Sequence, residues 1–230
     1  IQSAKLASLG ELAASMAHEI NNPLGIISGY SELMLLSQEL NNSQSSKLEA
    51  ILKSCERISH IVNSLKKFSR KNEQINFEGI LLETIIKEAI SLAKPRLKRE
   101  IVELNYSSNL DSKESMILCN SIEIEQVFLN LINNAIDALK NTPNKQIEIL
   151  TASQGEMIEC RVIDHGHGIP EPIIGEIFNP FYTSKPAGAG TGLGLSIVKD
   201  IMQEHVGSIE YDSEAKHTTF VLNFPKASNG

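Results

Sequence analysis

Tryptophan is absent from this 230-residue sequence, and aromatic residues make up only 5% of it. That leaves few rings on which the bases of a single-stranded nucleic acid could stack. Positive charge is in deficit as well: 21 Lys and Arg face 28 Asp and Glu, a net charge of −7 at pH 7. Binding to nucleic acid or anionic lipid needs a basic face that neutralises phosphates, so no nucleic-acid partner is expected. The three cysteines, Cys55, Cys119 and Cys160, are odd in number and follow no ligand spacing. They exclude a disulfide framework and a cysteine zinc site, and they suit a reducing compartment. No apolar run approaches the ~20 residues that span a bilayer, and no signal peptide is present. A cytoplasmic location is therefore expected for this stretch. It begins at Ile1, within helix-like sequence, and reads as a piece of a longer protein whose upstream part could hold a sensor or a membrane anchor. With 41% hydrophobic and 21% charged residues, the composition is that of a folded domain and excludes a disordered or collagen-like chain.

Residues 1–74 read as two long helices. Apolar residues fall at Leu6, Leu9, Ala13, Met16, Ile20, Ile27, Tyr30 and Met34, in steps of three and four that only Pro23 interrupts. Polar Ser37–Ser46 is the expected turn, and Leu48, Ile51, Cys55, Ile58, Val62 and Leu65 continue the seam. One narrow stripe on each of two antiparallel helices encloses no core. Two copies forming a four-helix bundle would enclose one, so a homodimer is expected; the alternative is a hairpin packed on the rest of the chain. From residue 75 onward the pattern changes. Helices are expected at Leu81–Ala93, stopping near Pro95, at Ile122–Leu139 and at Leu195–His205. Strands are expected at Glu100–Tyr106, Ser115–Cys119, Gln146–Ala152, Glu156–Ile163, Ser208–Tyr211 and Thr218–Phe224. Asp164–Gly194 reads as a long loop, a length that in a compact domain points to function or disorder. The fold class is thus an all-α hairpin over residues 1–74, followed over 75–230 by an α+β two-layer sandwich with helices on one face of a sheet.

Four groups of residues carry chemistry. In His18-Glu19-Ile20-Asn21-Asn22-Pro23, the heptad register turns His18 outward, and Asn22 follows one turn later on the same face. A solvent-facing imidazole is largely neutral and nucleophilic at pH 7; Glu19 beside it can take a ring proton, and Asn22 can hold a water or phosphoryl oxygen. The bland alternative is a surface histidine, but Pro23 inside a helix costs ~3 kcal/mol and implies a tolerated local bend. In Asn130-Leu131-Ile132-Asn133-Asn134, Asn130 and Asn134 share one helix face, and their amide oxygens are hard, neutral ligands suited to Mg²⁺. Asp137 lies a turn further on. In Asp164-His165-Gly166-His167-Gly168-Ile169-Pro170, the glycines permit close approach to a ligand, and Asp164 at a strand end can accept from an exocyclic amine. A metal reading of His165 and His167 lacks further ligands at the right spacing. Gly188-Ala189-Gly190-Thr191-Gly192-Leu193-Gly194-Leu195 opens a helix, whose free N–H groups form a phosphate cradle without a Walker A lysine. Between the last two groups, Phe178-Asn179-Pro180-Phe181-Tyr182-Thr183-Ser184-Lys185 could close as a lid, with Phe181 packing inward and Lys185 reaching a phosphate. Core filling is the other reading for Phe178 and Phe181.

Taken in order, these groups resemble the catalytic core of two-component sensor histidine kinases. His18 to Leu24 is similar to the H box, Asn130 to Ala135 to the N box and Asp164 to Ile169 to the first glycine box. Phe178 to Phe181 is similar to the F box and Gly190 to Leu195 to the second glycine box. Asp137 and the Phe-Tyr-Thr-Ser-Lys run look most like the nitrogen-regulation-type branch; many other branches carry a basic residue at the former position. The resemblance implies a dimerisation and histidine-phosphotransfer domain, with His18 as phospho-acceptor, Glu19 as its base and Asn22 assisting dephosphorylation of a response regulator. It implies a second domain of the GHKL ATPase type, with Asp164 on adenine and Asn130 and Asn134 holding Mg²⁺. Asp137, Gly166, Gly168, Ile169, Phe181, Lys185, Thr191, Gly192, Leu193, Gly194 and Leu195 would line the rest of the ATP site. The implied activity is an ATP-dependent autokinase that passes its phosphoryl group to an aspartate of a response-regulator receiver domain. Residues Arg70–Asn76 would act as the hinge between the domains. A phosphatase-dominant or pseudokinase module and a conformational ATPase remain the alternatives.

Overall fold

The computed structural model describes residues 20, 22–35, 41, 43–48, 51–52, 54–55, 58, 77–110, 115–185 and 192–227. The chain divides into two compact units, Ile1–Gln74 and Ile75–Gly230.

In the first unit, Ile20 and residues 22–35 are helical, with Pro23 inside the helical run. Helical backbone resumes at residue 43, inside the stretch read from sequence as a turn. A reciprocal cap explains the early start. The Gln44 N–H donates to Asn41 Oδ1 at 2.9 Å, and the Asn41 N–H donates to Gln44 Oε1 at 3.0 Å, so two orphan donors are satisfied at once. Leu24, Ser31 and Cys55 are buried, whereas Ile27, Tyr30, Met34, Ile51 and Ile58 lie exposed along the seam.

The second unit is an α+β sandwich. A five-stranded sheet in the order β2-β4-β5-β7-β6 combines β2 (Glu103–Ser108), β4 (Gln146–Gln154), β5 (Met157–Asp164), β7 (Thr218–Pro225) and β6 (Ser208–Tyr211). The β2–β4 pair is parallel and the others are antiparallel. A separate antiparallel pair joins β1 (Glu78–Leu81) to β3 (Met116–Cys119). Helices α1 (Leu82–Glu100), α2 (Ser121–Ala138) and α3 (Gly194–Glu204) pack in a layer, α1 on α2 and α2 on α3. Period-two burial along β4 and β5 sends Ile147, Ile149, Ile158, Cys160 and Val162 into the core, where Phe128, Leu131, Ile132 and Val198 of the helices meet them. Among the described residues, no helix is long and apolar enough to cross a membrane.

In the second unit the elements depart from the sequence reading at several places, one being β2, which begins at Glu103 and not at Glu100. Helix α1 does not stop near Pro95 but runs to Glu100. Ala93 and Leu97, on either side of the proline, are buried on the stripe of Leu82, Ile85, Ile86 and Ala89, and this packing outweighs the lost backbone bond. Strand β1 is an unforeseen four-residue element, held by its pairing with β3 and by Ile80 packing on the core. The region read as loop contains a 3₁₀ turn at Glu171–Glu176.

Candidate functional site

Helix α2 sets the site's geometry. Asn120 caps it, its Oδ1 accepting from the N–H groups of Ile122 at 3.1 Å and Glu123 at 3.4 Å. Ile124, Val127, Phe128, Leu131, Ile132, Ala135 and Ile136 fill the core face, so the 3.6-residue period leaves Asn130, Asn133, Asn134 and Asp137 on the remaining, half-buried face. Two other segments meet that face. Gly194 at the start of α3 lies so close that a Cβ there would sit 3.7 Å from Asn134 Nδ2. Lys185 brings its Nζ to 3.5 Å from Asn134 Oδ1 and 2.8 Å from Asp137 Oδ2.

Asp164 ends β5 on the same side as Ile158, Cys160 and Val162, and strand alternation therefore buries its carboxylate at 5% exposure. The Gly166 N–H donates to Asp164 Oδ1 at 2.9 Å, and the hydroxyl of Thr218, its register partner on β7, bonds the carboxylate too. Burial raises the Asp164 pKa above the ordinary carboxylate value; these hydrogen bonds and the nearby His167 and His165 only partly offset it. A Cβ at Gly166 would come within 2.6 Å of Asp164 Oδ1 and 3.0 Å of the Ala138 Cβ, so only glycine fits against the end of α2. Gly168 adopts φ +78°, and Ile169 packs against the core.

Gly192 is fixed by a different contact. Its φ is +67°, and a Cβ there would lie 2.3 Å from the carbonyl carbon of Phe181. Phe181 itself has φ 67° and is 63% exposed, so the expected inward packing of its ring is not found. Phe178 provides the apolar anchor instead, edge-on to Phe220 at 6.3 Å. The asymmetry follows from backbone contact: the Phe181 main chain lies against Gly192, which turns its side chain outward. Leu193 is buried and Leu195 packs on the core, which fixes the start of α3.

The remaining candidates divide. Asn22 is exposed on its helix. His18, Glu19, Thr191 and the connection Arg70–Asn76 lie outside the described residues, as do residues 186–190, which follow the expected lid. The two histidines of the glycine segment have structural partners. The Asn144 amide donates to His165 Nδ1 at 3.0 Å, which leaves Nε2–H to donate to Glu148 Oε1 at 2.9 Å. The His165 ring stacks on His217 at 4.0 Å, while His167 is exposed. Among the described residues, no group of three or more His, Cys, Asp or Glu could hold a metal ion.

The asparagine face does suit a hard cation. The Asn130 side-chain Nδ2 is buried with no protein partner. The two ends of a carboxamide occupy nearly the same space, so an amide oxygen fits there equally well. A neutral oxygen donor set beside bound phosphates is what Mg²⁺ accepts.

Sequence reasoning missed Arg96, Lys140 and Thr218. Arg96 Nη2 donates to Asp137 Oδ1 at 2.7 Å, and Lys140 Nζ reaches the same oxygen at 2.7 Å. Burial pushes the Asp137 pKa up, but hydrogen bonds from Lys140 and Lys185 and the charges of Lys185 and Arg96 outweigh it and hold it below the usual carboxylate value. Buried positions at Ala93 and Leu97 were the signal that α1 continues and carries Arg96 with it. Thr218 had no signal, because register between distant strands is not written locally.

The His Kinase A (phospho-acceptor) domain family matches residues 8–74. The histidine kinase-, DNA gyrase B- and HSP90-like ATPase family matches residues 119–228. The chain is 32% identical over 229 residues to the C4-dicarboxylate transport sensor protein DctB of Rhizobium meliloti, covering 99% of this chain and 36% of that protein. It is 32% identical over 227 residues to sporulation kinase A of Bacillus subtilis, covering 98% and 36%. The chain thus spans about a third of the length of these curated relatives. The crystal structure of histidine kinase ThkA in complex with response regulator protein TrrA matches with a TM-score of 0.68 at 27% identity, covering 98% of this chain and 64% of that one. With both family matches in series and the GHKL-type sandwich behind the asparagine face, the chain belongs to the two-component sensor histidine kinases, as a catalytic core.

Proposed function

We propose that this chain is an ATP-dependent protein-histidine autokinase that modifies His18 and then donates the phosphoryl group to an aspartate of a response regulator. The observation that carries the reading is the convergence of Asn134, Gly194 and Lys185 on one side of α2, with the buried Asp164 near the end of that helix. Residues 1–74 would form the dimerisation and phosphotransfer domain, and residues 75–230 the ATP-binding domain.

Each residue contributes by position and charge more than by covalent chemistry, as phosphoryl transfer requires. The ionised Asp164 accepts a hydrogen bond from the adenine amine. Gly166 and Gly168 let the ring approach the backbone, and Ile169 offers an apolar edge. Asn130 and Asn134 would hold Mg²⁺, which when bound offsets the charge of the phosphates. The first turn of α3, which begins at Gly194, would turn the positive end of the helix toward the same anions, and Thr191 would contribute a hydroxyl. His18 attacks the γ-phosphorus through a ring nitrogen, the bond to the β-phosphate oxygen breaks, and Glu19 takes the ring proton. Asn22 would position water against the phosphorylated regulator. The regulator as partner is supported by the complex of ThkA with its response regulator protein. The exposed apolar seam of Ile27, Tyr30, Met34, Ile51 and Ile58 supports a homodimer. Asp137 and the Phe181–Lys185 run support a nitrogen-regulation-like branch.

Incubation with γ-labelled ATP and Mg²⁺ tests the reading. The expected product is an acid-labile, base-stable label on the protein that is lost in His18→Gln. A chain that binds ATP yet takes no label would refute the kinase assignment.

A further inference from the structure

Arg96 reaches from α1 onto the asparagine face of α2. Its Nη1 donates to Asn133 Oδ1 at 2.5 Å and to the Asn133 carbonyl at 3.4 Å, while Nη2 donates to Asp137 Oδ1 at 2.7 Å. Two groups one helical turn apart therefore grip one planar guanidinium, a geometry that a lysine cannot reproduce. The grip also explains Asn133, the middle asparagine of the triplet, which has no part in the proposed nucleotide contacts. Asp137 then divides its oxygens: Oδ1 faces Arg96 and Lys140, and Oδ2 faces Lys185 at 2.8 Å. Three cations meet one carboxylate, leaving an excess of two positive charges beside Asn134. Asp137, Arg96 and Lys185 are partly buried and Lys140 is exposed, so the charge of the first three is screened less than it would be on an open surface.

We propose that Arg96 is a positioning residue for the triphosphate end of the nucleotide site, acting through Asp137 on Lys185. The proposal rests on the nucleotide reading above. By occupying Oδ1 and partly neutralising Asp137, Arg96 aims Oδ2 at Lys185 and keeps the lysine beside Asn134 without binding it irrevocably. Phosphate oxygens can then compete for the Lys185 ammonium, because Asp137 retains Arg96 and Lys140 when Lys185 leaves. Without Arg96, Asp137 swings free of α1 and holds Lys185 more tightly, so the phosphates lose that cation. This arrangement supplies positive charge at a helix position where the sequence itself has an aspartate.

The test compares ATP with adenosine, which lacks phosphates but retains the amine that Asp164 would accept. Both affinities are measured with Mg²⁺ on the full chain by displacement of a fluorescent nucleotide. Arg96→Gln is expected to weaken ATP on the order of tenfold, while adenosine changes less than twofold. Arg96→Lys should recover only part of the loss. In a Lys185→Gln background, Arg96→Gln should add little, because the residue it acts through is gone. Equal weakening of ATP and adenosine, or full additivity of the two substitutions, overturns the positioning role. A wild-type chain that binds neither ligand overturns the nucleotide reading itself and this proposal with it; one that binds both leaves the Arg96 comparison to decide.

Discussion

A carboxylate buried at a strand end works against folding unless a ligand uses it, and Asp164 is such a group. Its pKa is raised above the unfolded value, so the ionised form destabilises the fold once pH exceeds the raised value, and that penalty is relieved as pH falls through it. Asp164→Asn removes the buried charge while keeping an acceptor for the Gly166 N–H. Thermal melting at pH 7 should show a gain of about 1 kcal/mol, or 2–4 °C in a chain of this size. ATP binding should fall at least tenfold, because the single amide oxygen stays with the Gly166 N–H and the NH₂ is left facing the adenine amine, donor against donor. A melting temperature that drops instead would show that Asp164 serves stability. In the wild type, ATP affinity should decline as pH falls through the raised Asp164 value, at higher pH than an exposed aspartate would require. Asp137 has the opposite sign. Its depressed pKa contributes stability that is complete above the unfolded aspartate value and is lost as pH falls through the lower folded one. Gly192 is limited by space and by φ together, and Gly192→Ala should cost on the order of 1–3 kcal/mol by chemical denaturation. A cost below ~0.5 kcal/mol would mean that the Phe181 backbone yields.

At the level of elements, periodicity carried most of the information. The stripe of α2 and the alternation of β4 and β5 are local properties; they placed Asn130 and Asn134 on the helix face where the structure has them and Asp164 at a strand end, while its burial came from the structure. Local signals misled at Pro95. A proline removes one backbone bond, but Ala93 and Leu97 bury apolar surface on both sides of it, and the helix continues. Pro95 is exposed, so Pro95→Ala should restore the bond to the Ser91 carbonyl without disturbing the core. Stability is expected to rise by about 1–3 kcal/mol, read as a shift of the denaturation midpoint. An unchanged midpoint would mean that stiffening of the unfolded chain offsets the lost bond. Because the reading ended the helix early, Arg96 fell outside it, and the partner of Asp137 was missed with it. Strand β1 escaped for a related reason: four residues with a glycine carry no period of their own, and only β3 makes them a strand.

At the scale of the whole molecule, the described residues of the first unit expose an apolar stripe. Tyr30 is 65% exposed and Met34 54%, along a stripe that continues through Ile27, Ile51 and Ile58. Apolar surface aligned in this way is costly in water, and a second copy of the same hairpin would cover it. Light scattering should give a dimer for the wild-type chain and a monomer for Tyr30→Glu, which places a charge in the middle of the stripe. A wild-type monomer at micromolar concentration would rule out the bundle proposed for residues 1–74.

The amino-acid sequence alone determined the periodic faces, the order of the asparagine, glycine and phenylalanine segments, and so the family. All of these are properties of neighbours along the chain, set by backbone geometry. Tertiary structure decided which distant groups share charge. Lys140 meets Asp137 locally, one turn along the chain, but Arg96 and Lys185 reach it because α1 packs on α2 and because the chain after Phe181 returns to the same face. Phe181 turned outward by the same kind of cause, a backbone contact with Gly192. Long-range Coulomb and steric terms depend on separations in space, and no local pattern of residues encodes them.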